Sequence, residues 1–229
     1  MHPPPEGGAL SPELRGLGVI ACDQGYQCKN CQMSTTSDSL AAHVEGSNPT
    51  GTEIANFATG CFWGAERRFW KLDGVVETSV GYMGGRRPEP TYEQVCTGVT
   101  GHAETVAVTY NPALITYHRL LEEFWTMHDP TSLNQQGGDI GTQYRSAIFT
   151  TSKDQMNEAL ASRDIYQGAL RAEGIGEIVT EILAADGHEY WLAEEYHQKY
   201  LAKNPNGYDC HSSTGVAFPS QHATQAAHQ

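Results

Sequence analysis

A chain of 229 residues with a formal net charge of −13 is long enough for one large domain, and its acidity argues against a nucleic-acid backbone or an anionic membrane as the main partner. No apolar run approaches the ~20 residues that a membrane-spanning helix needs, and no secretory signal is expected, because the first residues lack a basic patch followed by an apolar stretch. Six cysteines are too few for a disulfide-stapled scaffold, so the expected compartment is the reducing cytoplasm.

Residues 1–51 differ in composition from the rest of the chain. They are rich in Pro, Gly, Ser and Thr, poor in aromatic residues, and contain Cys22, Cys28 and Cys31. This composition predicts a poorly ordered extension that ends near the stretch EGSNPTGT. Cys28 and Cys31 form a CxxC pair with three open roles: none, a thiol relay, or metal binding together with Cys22 and His43.

From residue 53 onward, apolar periodicity alternates between the strand pattern and the helix pattern. In chain order the predicted elements are the strand EIANFAT, a helix at 61–72, the strand VVETSVGY, a short helix opened by a capping box of Thr91 and Gln94, the strand AETVAVTY, a helix at 116–127, the strand YRSAIFT, a helix from Ser152 to near Gly174, the strand EIVTEIL and a helix at 190–201. The stretch NPNGYDCHSSTGVAFP is rich in turn residues and predicts an irregular tail. Because strands alternate with helices of uneven length, we predict an α/β or α+β domain, a two-layer sandwich with helices packed on a sheet.

Cys61 stands where the first predicted strand gives way to the first predicted helix. Gly60 ends the strand pattern, and the helical pattern begins at Cys61. At a helix N-terminus, unpaired N–H groups and the positive end of the helix dipole favour a thiolate, which is the nucleophilic form of cysteine. Position alone leaves two interpretations open: an activated nucleophile, or a small core residue beside the core aromatics Phe62 and Trp63.

Four motifs follow one another along the chain: GCFWGAE from residue 60, GHAE at 101–104, GTQYRSAI at 141–148 and EEYHQKYLAKNPNGY at 194–208. In this order they resemble the A-type peptide methionine sulfoxide reductases, and family-like sequence covers about residues 52–219. The resemblance implies a central mixed sheet with a ferredoxin-like core and a long irregular C-terminal tail. We therefore predict a catalytic domain at 52–219, between the extension at 1–51 and a flexible tail at 220–229.

The resemblance also implies a reaction, the reduction of the S epimer of methionine sulfoxide, free or in proteins, to methionine. Because the sulfoxide oxygen leaves only after protonation, such a site needs a soft nucleophile, an acid and an apolar slot for the methyl group. By resemblance Cys61 attacks the sulfur and becomes a sulfenic acid, while Glu104 of GHAE supplies the proton. Glu104 must then be buried enough to stay protonated near neutral pH; taken alone, it is a solvated strand carboxylate.

The remaining predicted site residues also come from the resemblance. Tyr92, in PTYEQVC, and Tyr144 match two tyrosines whose hydroxyls hydrogen-bond the sulfoxide oxygen; without the resemblance both are packing residues. Asp139, in GGDIGTQY, matches an aspartate that orders the pocket, and Phe62 and Trp63 match the aromatic wall around the methyl group. An apolar slot discriminates by only ~1–3 kcal/mol per methylene, so the polar contacts must select the epimer.

Cys210 is the predicted resolving cysteine. The family commonly places this cysteine just after NP-x-GY, and here Asp209 intervenes. Since a sulfenic acid condenses readily with a nearby thiol, the resemblance implies a Cys61–Cys210 disulfide that thioredoxin reduces. The second recycling cysteine of many members has no counterpart, because GVAFP contains no cysteine. Cys96, in EQVCTG, is expected to be structural.

The expected partners are thioredoxin and methionine sulfoxide, with no cofactor, no metal, no nucleic acid and no membrane, and we expect a monomer. Two other function classes stay open on the residues alone. A thiol peroxidase also uses an activated cysteine and a resolving one, but it does not need Glu104 and two tyrosines around an apolar slot. A metal-binding or redox-sensing module built on CxxC depends on the N-terminal extension, whereas the strongest motifs lie outside it.

Overall fold

The structure, a computed structural model, describes residues 51–209 and 212–219. The predicted extension, apart from residue 51, and the predicted tail at 220–229 lie outside these residues, so the domain boundaries stay predictions. The same holds for the roles of four cysteines: Cys22, Cys28, Cys31 and Cys210. Across the part of the chain that is described, every helix is too short or too polar to cross a bilayer.

The described strands form a six-stranded sheet and a separate two-stranded hairpin. Their bounds are β1 Glu53–Thr59, β2 Val75–Met83, β3 Ala103–Tyr110, β4 Gln135–Gln136, β5 Asp139–Ile140, β6 Ser146–Thr150, β7 Glu181–Ala184 and β8 Trp191–Leu192. The large sheet has the order β7-β6-β1-β3-β2-β8, with β6 and β7 parallel and the other neighbours antiparallel; β4 pairs with β5. The predicted mixed sheet is therefore confirmed.

Helices connect these strands. Their bounds are α1 Phe62–Phe69, α2 Tyr92–Cys96, α3 Tyr117–Met127, α4 Lys153–Ala172 and α5 Tyr200–Lys203, with a 3-10 helix at Thr142–Tyr144. With α1 between β1 and β2 and α3 between β3 and β6, the chain follows the β-α-β-β-α-β pattern of a ferredoxin-like core. The predicted capping box is present, since Thr91 accepts from the backbone N–H of Gln94 while the Gln94 side chain accepts from that of Thr91.

The alternation of side chains along β1 divides the core between the two faces of the sheet. Phe57 is fully buried, with ring centroids 5.1 Å from Phe69 of α1 and 5.4 Å from Phe124 of α3. On the opposite face, Ala58 packs in a smaller cluster with Phe149. Burying one large apolar side chain stabilises a fold by about 1.5–3 kcal/mol, so these contacts hold β1 against α3 and the C-terminal end of α1.

The predicted helix at 190–201 is wrong. The chain instead adds β8 to the edge of β2, and the side chain of Gln198 pairs with the backbone of Val80, at 2.9 Å to the N–H and 2.8 Å to the carbonyl oxygen. Lys199 has a left-handed backbone with φ of 51°, and only the short α5 follows it. Tertiary hydrogen bonds to β2 thus override a sequence of good helix formers. The β4–β5 hairpin was not predicted.

Candidate active site

Cys61 is the N-cap residue of α1 and follows β1 after a single glycine. The turn needs that glycine, because Gly60 has φ of 95° and a Cβ there would lie 2.7 Å from Cγ of Gln136. Cys61 is buried with 8% of its surface exposed. The thiol therefore stands at the N-terminal end of a helix, as predicted, and keeps a small opening to solvent.

Glu104 lies on β3 directly below the start of that helix. It is 2% exposed, and its Oε2 accepts a hydrogen bond of 3.1 Å from the backbone N–H of Phe62, the residue after Cys61. Burial raises the pKa of Glu104 to about 8; the Phe62 N–H opposes this rise and the charge of Asp139 adds to it. The carboxyl group is accordingly protonated at neutral pH and can donate a proton beside the cysteine.

Tyr92 is the first residue of α2, and its hydroxyl feels the charges of Glu104 and Cys61. Burial, and after it the charge of Glu104, raises the pKa of Tyr92 well above its usual range, and Cys61 acts in the same direction. Its backbone N–H donates to Oε1 of Glu194 at 2.8 Å, which fixes the start of α2. The Tyr92 hydroxyl therefore stays protonated and shares the surroundings of Glu104 and Cys61.

Two more predicted residues come from the segment after α3. Tyr144 is 7% exposed and belongs to the 3-10 helix, which packs against β3, the strand of Glu104. Asp139 of β5 accepts a hydrogen bond of 3.0 Å at Oδ1 from the Tyr208 hydroxyl. Its Oδ2 is buried and has no hydrogen-bond partner within the described residues, so the carboxylate has one acceptor to offer to a bound molecule.

Phe62 and Trp63 form an aromatic wall at the start of α1. The Phe62 ring is 6.0 Å from that of Tyr82 and 5.1 Å from that of His197. The Trp63 indole stacks on Tyr200 at 3.8 Å, and its Nε1–H donates to Nδ1 of His197 at 3.1 Å. Both aromatic residues are thus held by neighbours from the C-terminal part of the chain.

His197 and Glu194 are residues that the sequence did not single out. Burial lowers the pKa of His197 to about 4, so the ring is neutral; because Nδ1 accepts from Trp63, the proton lies on Nε2. Glu194 accepts at Oε2 from the Tyr82 hydroxyl at 2.7 Å and at Oε1 from the Tyr92 backbone. Both lie in EEYHQKY, where the predicted helix gave no reason to expect buried polar contacts.

Of the cysteines other than Cys61, the structure describes Cys96 alone. Cys96 ends α2, is half-buried, and shares a hydrogen bond with the Tyr92 side chain. Cys210 lies outside the described residues, but Asp209 before it forms an ion pair with Arg67 of α1. Among the residues that the structure describes, no cluster of three or more His, Cys, Asp or Glu side chains could hold a metal ion.

Residues 53–228 match the model of one protein family, described as peptide methionine sulfoxide reductase. The chain belongs to this family. Two curated relatives, both named peptide methionine sulfoxide reductase MsrA, agree with the family model. The protein of Methylococcus capsulatus is 56% identical over 171 residues, 75% of this chain and 76% of the relative. That of Streptomyces griseus is 54% identical over 180 residues, 79% of this chain and 81% of the relative.

Solved structures of the family have the same fold. Methionine sulfoxide reductase A of Corynebacterium diphtheriae superposes with a TM-score of 0.68 at 46% identity, covering 75% of this chain and 85% of that one. Mxr1 from Saccharomyces cerevisiae, in its reduced form, superposes with a TM-score of 0.63 at 36% identity, covering 75% of this chain and 94% of that one. The predicted family, its α+β fold and its methionine sulfoxide reductase activity are confirmed.

Proposed function

We propose that this member of the family reduces the S epimer of methionine sulfoxide by attack of Cys61 on the sulfoxide sulfur, with Glu104 as the acid. The observation that carries the proposal is the hydrogen bond of 3.1 Å between the Phe62 N–H and Glu104 Oε2. It joins the acid to the first residue of the helix that Cys61 caps. A buried carboxyl group with a pKa of about 8 keeps its proton at neutral pH, as a general acid must.

In the first half of the reaction, the sulfur of Cys61 attacks the sulfoxide sulfur. The attack forms an S–S bond, and Glu104 transfers its proton to the sulfoxide oxygen. The resulting hydroxyl group moves to the Cys61 sulfur as its S–O bond to the methionine sulfur breaks. The S–S bond breaks with its electron pair on the methionine sulfur, so methionine leaves and Cys61 becomes a sulfenic acid. The hydroxyls of Tyr92 and Tyr144 donate hydrogen bonds to the oxygen while negative charge develops on it.

Substrate binding uses an apolar wall and a polar rim. Phe62 and Trp63 pack around the S-methyl group, and the Trp63 indole keeps its angle because His197 and Tyr200 hold it on two sides. Asp139 orders the other side of the pocket through Tyr208, and its unpartnered Oδ2 is available to an N–H of the substrate. Fixing both the methyl group and the oxygen leaves room for one sulfoxide configuration.

The second half of the reaction regenerates the thiol. The Cys210 thiol attacks the sulfenyl sulfur of Cys61, the S–O bond breaks, water leaves, and a Cys61–Cys210 disulfide forms. Thioredoxin then reduces this disulfide by thiol–disulfide exchange. We further propose that the protein acts as a monomer in the cytoplasm, repairing free or protein-bound methionine sulfoxide.

An assay on resolved epimers tests the proposal. We expect turnover of the S epimer with thioredoxin, and no turnover by Cys61→Ser. Cys210→Ser should release one equivalent of methionine and then stop. Activity on the R epimer alone, or full activity of Cys61→Ser, contradicts the proposal. Comparing hydrogen peroxide with a methyl sulfoxide as the oxidant separates this enzyme from a thiol peroxidase.

A further inference from the structure

We propose that the ion pair between Arg67 and Asp209 is a positioning device for the resolving step, which holds the residue before Cys210 on the helix of the nucleophile. The proposal rests on the proposed function, in which Cys210 resolves the sulfenic acid of Cys61. It assigns Arg67 and Asp209 a role in disulfide formation and no role in methionine sulfoxide reduction.

The ion pair joins the helix that Cys61 caps to the residue directly before Cys210. Arg67 lies on α1, whose N-cap is Cys61, and its Nη2 pairs with Oδ2 of Asp209. Asp209 is separated from Arg67 by 142 positions in sequence and immediately precedes Cys210. Consecutive Cα atoms are only about 3.8 Å apart, so a contact that fixes residue 209 limits how far the next residue can move from α1.

The segment before Asp209 is also held against α1. Tyr200 of α5 stacks on Trp63, and Lys199 donates its backbone N–H to the buried carboxylate of Glu66 at 2.9 Å. These contacts secure the start of the C-terminal segment to α1. Residues 204–209 then follow without a described helix or strand, so the contacts of its last residues determine where the segment ends.

Two such contacts involve consecutive residues and different partners. The Tyr208 hydroxyl donates to Asp139, beside the pocket, while Asp209 pairs with Arg67 of α1. Of the two, only the ion pair attaches the segment to the helix that begins at Cys61. Restricting the motion of one thiol near another raises its effective concentration, which speeds an intramolecular reaction without changing its chemistry.

The size of the effect is limited by solvent. The Arg67 and Asp209 side chains are 29% and 28% exposed, so the pair is partly screened. Partly exposed pairs contribute modestly, and we expect loss of the pair to slow disulfide formation by about two- to fivefold. Salt should act in the same way, because the screening length falls from about 10 Å at 0.1 M to about 3 Å at 1 M ionic strength.

The test separates the two halves of the reaction in the full-length protein. The reduced enzyme is mixed with one equivalent of methionine S-sulfoxide, methionine release is followed first, and formation of the Cys61–Cys210 disulfide is followed by alkylation and peptide mapping. Arg67→Gln and Asp209→Asn should each slow only the second process, by the same factor. Arg68→Gln removes the same charge from the neighbouring residue, whose partner is Glu123, and should leave both processes unchanged.

The combined variants exclude a merely structural effect. Arg67→Gln in the Asp209→Asn background should cause no further slowing, and the exchanged pair Arg67→Asp with Asp209→Arg should restore the rate. High salt should slow the wild type toward the variants and leave the variants unchanged. Equal rates of disulfide formation in wild type, Arg67→Gln and Asp209→Asn overturn this proposal while the proposed function stands. Methionine release without a Cys61–Cys210 disulfide in the wild type overturns the resolving role and this proposal together.

Discussion

The backbone N–H of Phe62 donates to Oε2 of Glu104 across 3.1 Å, and this contact joins β3 to the first turn of α1. A neutral carboxyl group keeps an acceptor oxygen for the N–H and has a proton on the other oxygen. The helix N-terminus can therefore hold the acid in place while the acid stays protonated, and the proton is then available beside Cys61.

Replacing Glu104 with Gln should slow methionine formation by about 10²–10⁴-fold, the usual contribution of a general acid. The amide oxygen can still accept from the Phe62 N–H, so the fold is preserved while the acidic proton is lost. Methionine release in a single turnover measures the effect. Glu77→Gln, the same substitution at an exposed position of β2, should keep the wild-type rate. An unchanged rate in Glu104→Gln contradicts the assignment.

The rate of methionine formation should fall as the pH rises above about 8. Burial raises the pKa of Glu104 to about 8, so the acid is protonated below that pH and becomes an ineffective carboxylate above it. A single-turnover pH profile of the wild type should show this descending limb, and the profile of Glu104→Gln should lack it. If the limb persists in Glu104→Gln, another group is responsible for it.

Tyr92→Phe and Tyr144→Phe should each lower the rate of methionine formation by about 10²–10³-fold, the loss that follows removal of one donor to a developing oxyanion. The aromatic ring is kept, so packing around each position changes little. Tyr110→Phe is the matched control, because its hydroxyl donates to Glu53 at the far end of β3. Should the two site variants behave like Tyr110→Phe, their hydroxyls take no part in the chemistry.

Loss of the His197 acceptor should weaken substrate binding more than it slows the chemical step. His197→Phe keeps a ring but leaves the Trp63 Nε1–H without its partner, so we expect KM for the sulfoxide to rise by up to about tenfold and tryptophan emission to shift. His197→Asn offers an oxygen near the position of Nδ1 and should restore much of the affinity. An equal loss in both variants points to packing instead of the hydrogen bond.

Much of the fold could be predicted from local pattern. β1 and β3 occupy the residues of EIANFAT and AETVAVTY, and the caps Thr91, Thr116 and Ser152 begin the helices, because alternation and capping depend on near neighbours in sequence. Residues 190–201 could not be predicted in this way. Their conformation depends on hydrogen bonds to β2, more than 100 positions away in sequence, which no local pattern encodes.

The candidate site, like the fold, could be predicted where it depends on local sequence and not where it depends on contacts between distant residues. The position of Cys61 at a helix start follows from the switch between strand and helix periodicity. Two of the four ordered motifs contain Glu104 and Tyr144, and the family resemblance supplies Tyr92 and Asp139. The motifs do not show how the aromatic wall of Phe62 and Trp63 is held. His197 accepts from Trp63 and Glu194 accepts from Tyr82, and these partners come close only in the folded chain. Cys210 lies outside the described residues and stays a prediction.

The most direct measurement is to trap the cysteine that receives the oxygen. In Cys210→Ser, reacted with one equivalent of methionine S-sulfoxide and then with dimedone, peptide mapping locates the sulfenic acid. We expect one dimedone adduct at Cys61 for each methionine released. The double variant Cys210→Ser with Glu104→Gln should give no adduct when its reaction is stopped at the time that suffices for Cys210→Ser alone. An adduct at Cys96 or at any other cysteine, or methionine release that leaves Cys61 unmodified, contradicts the account.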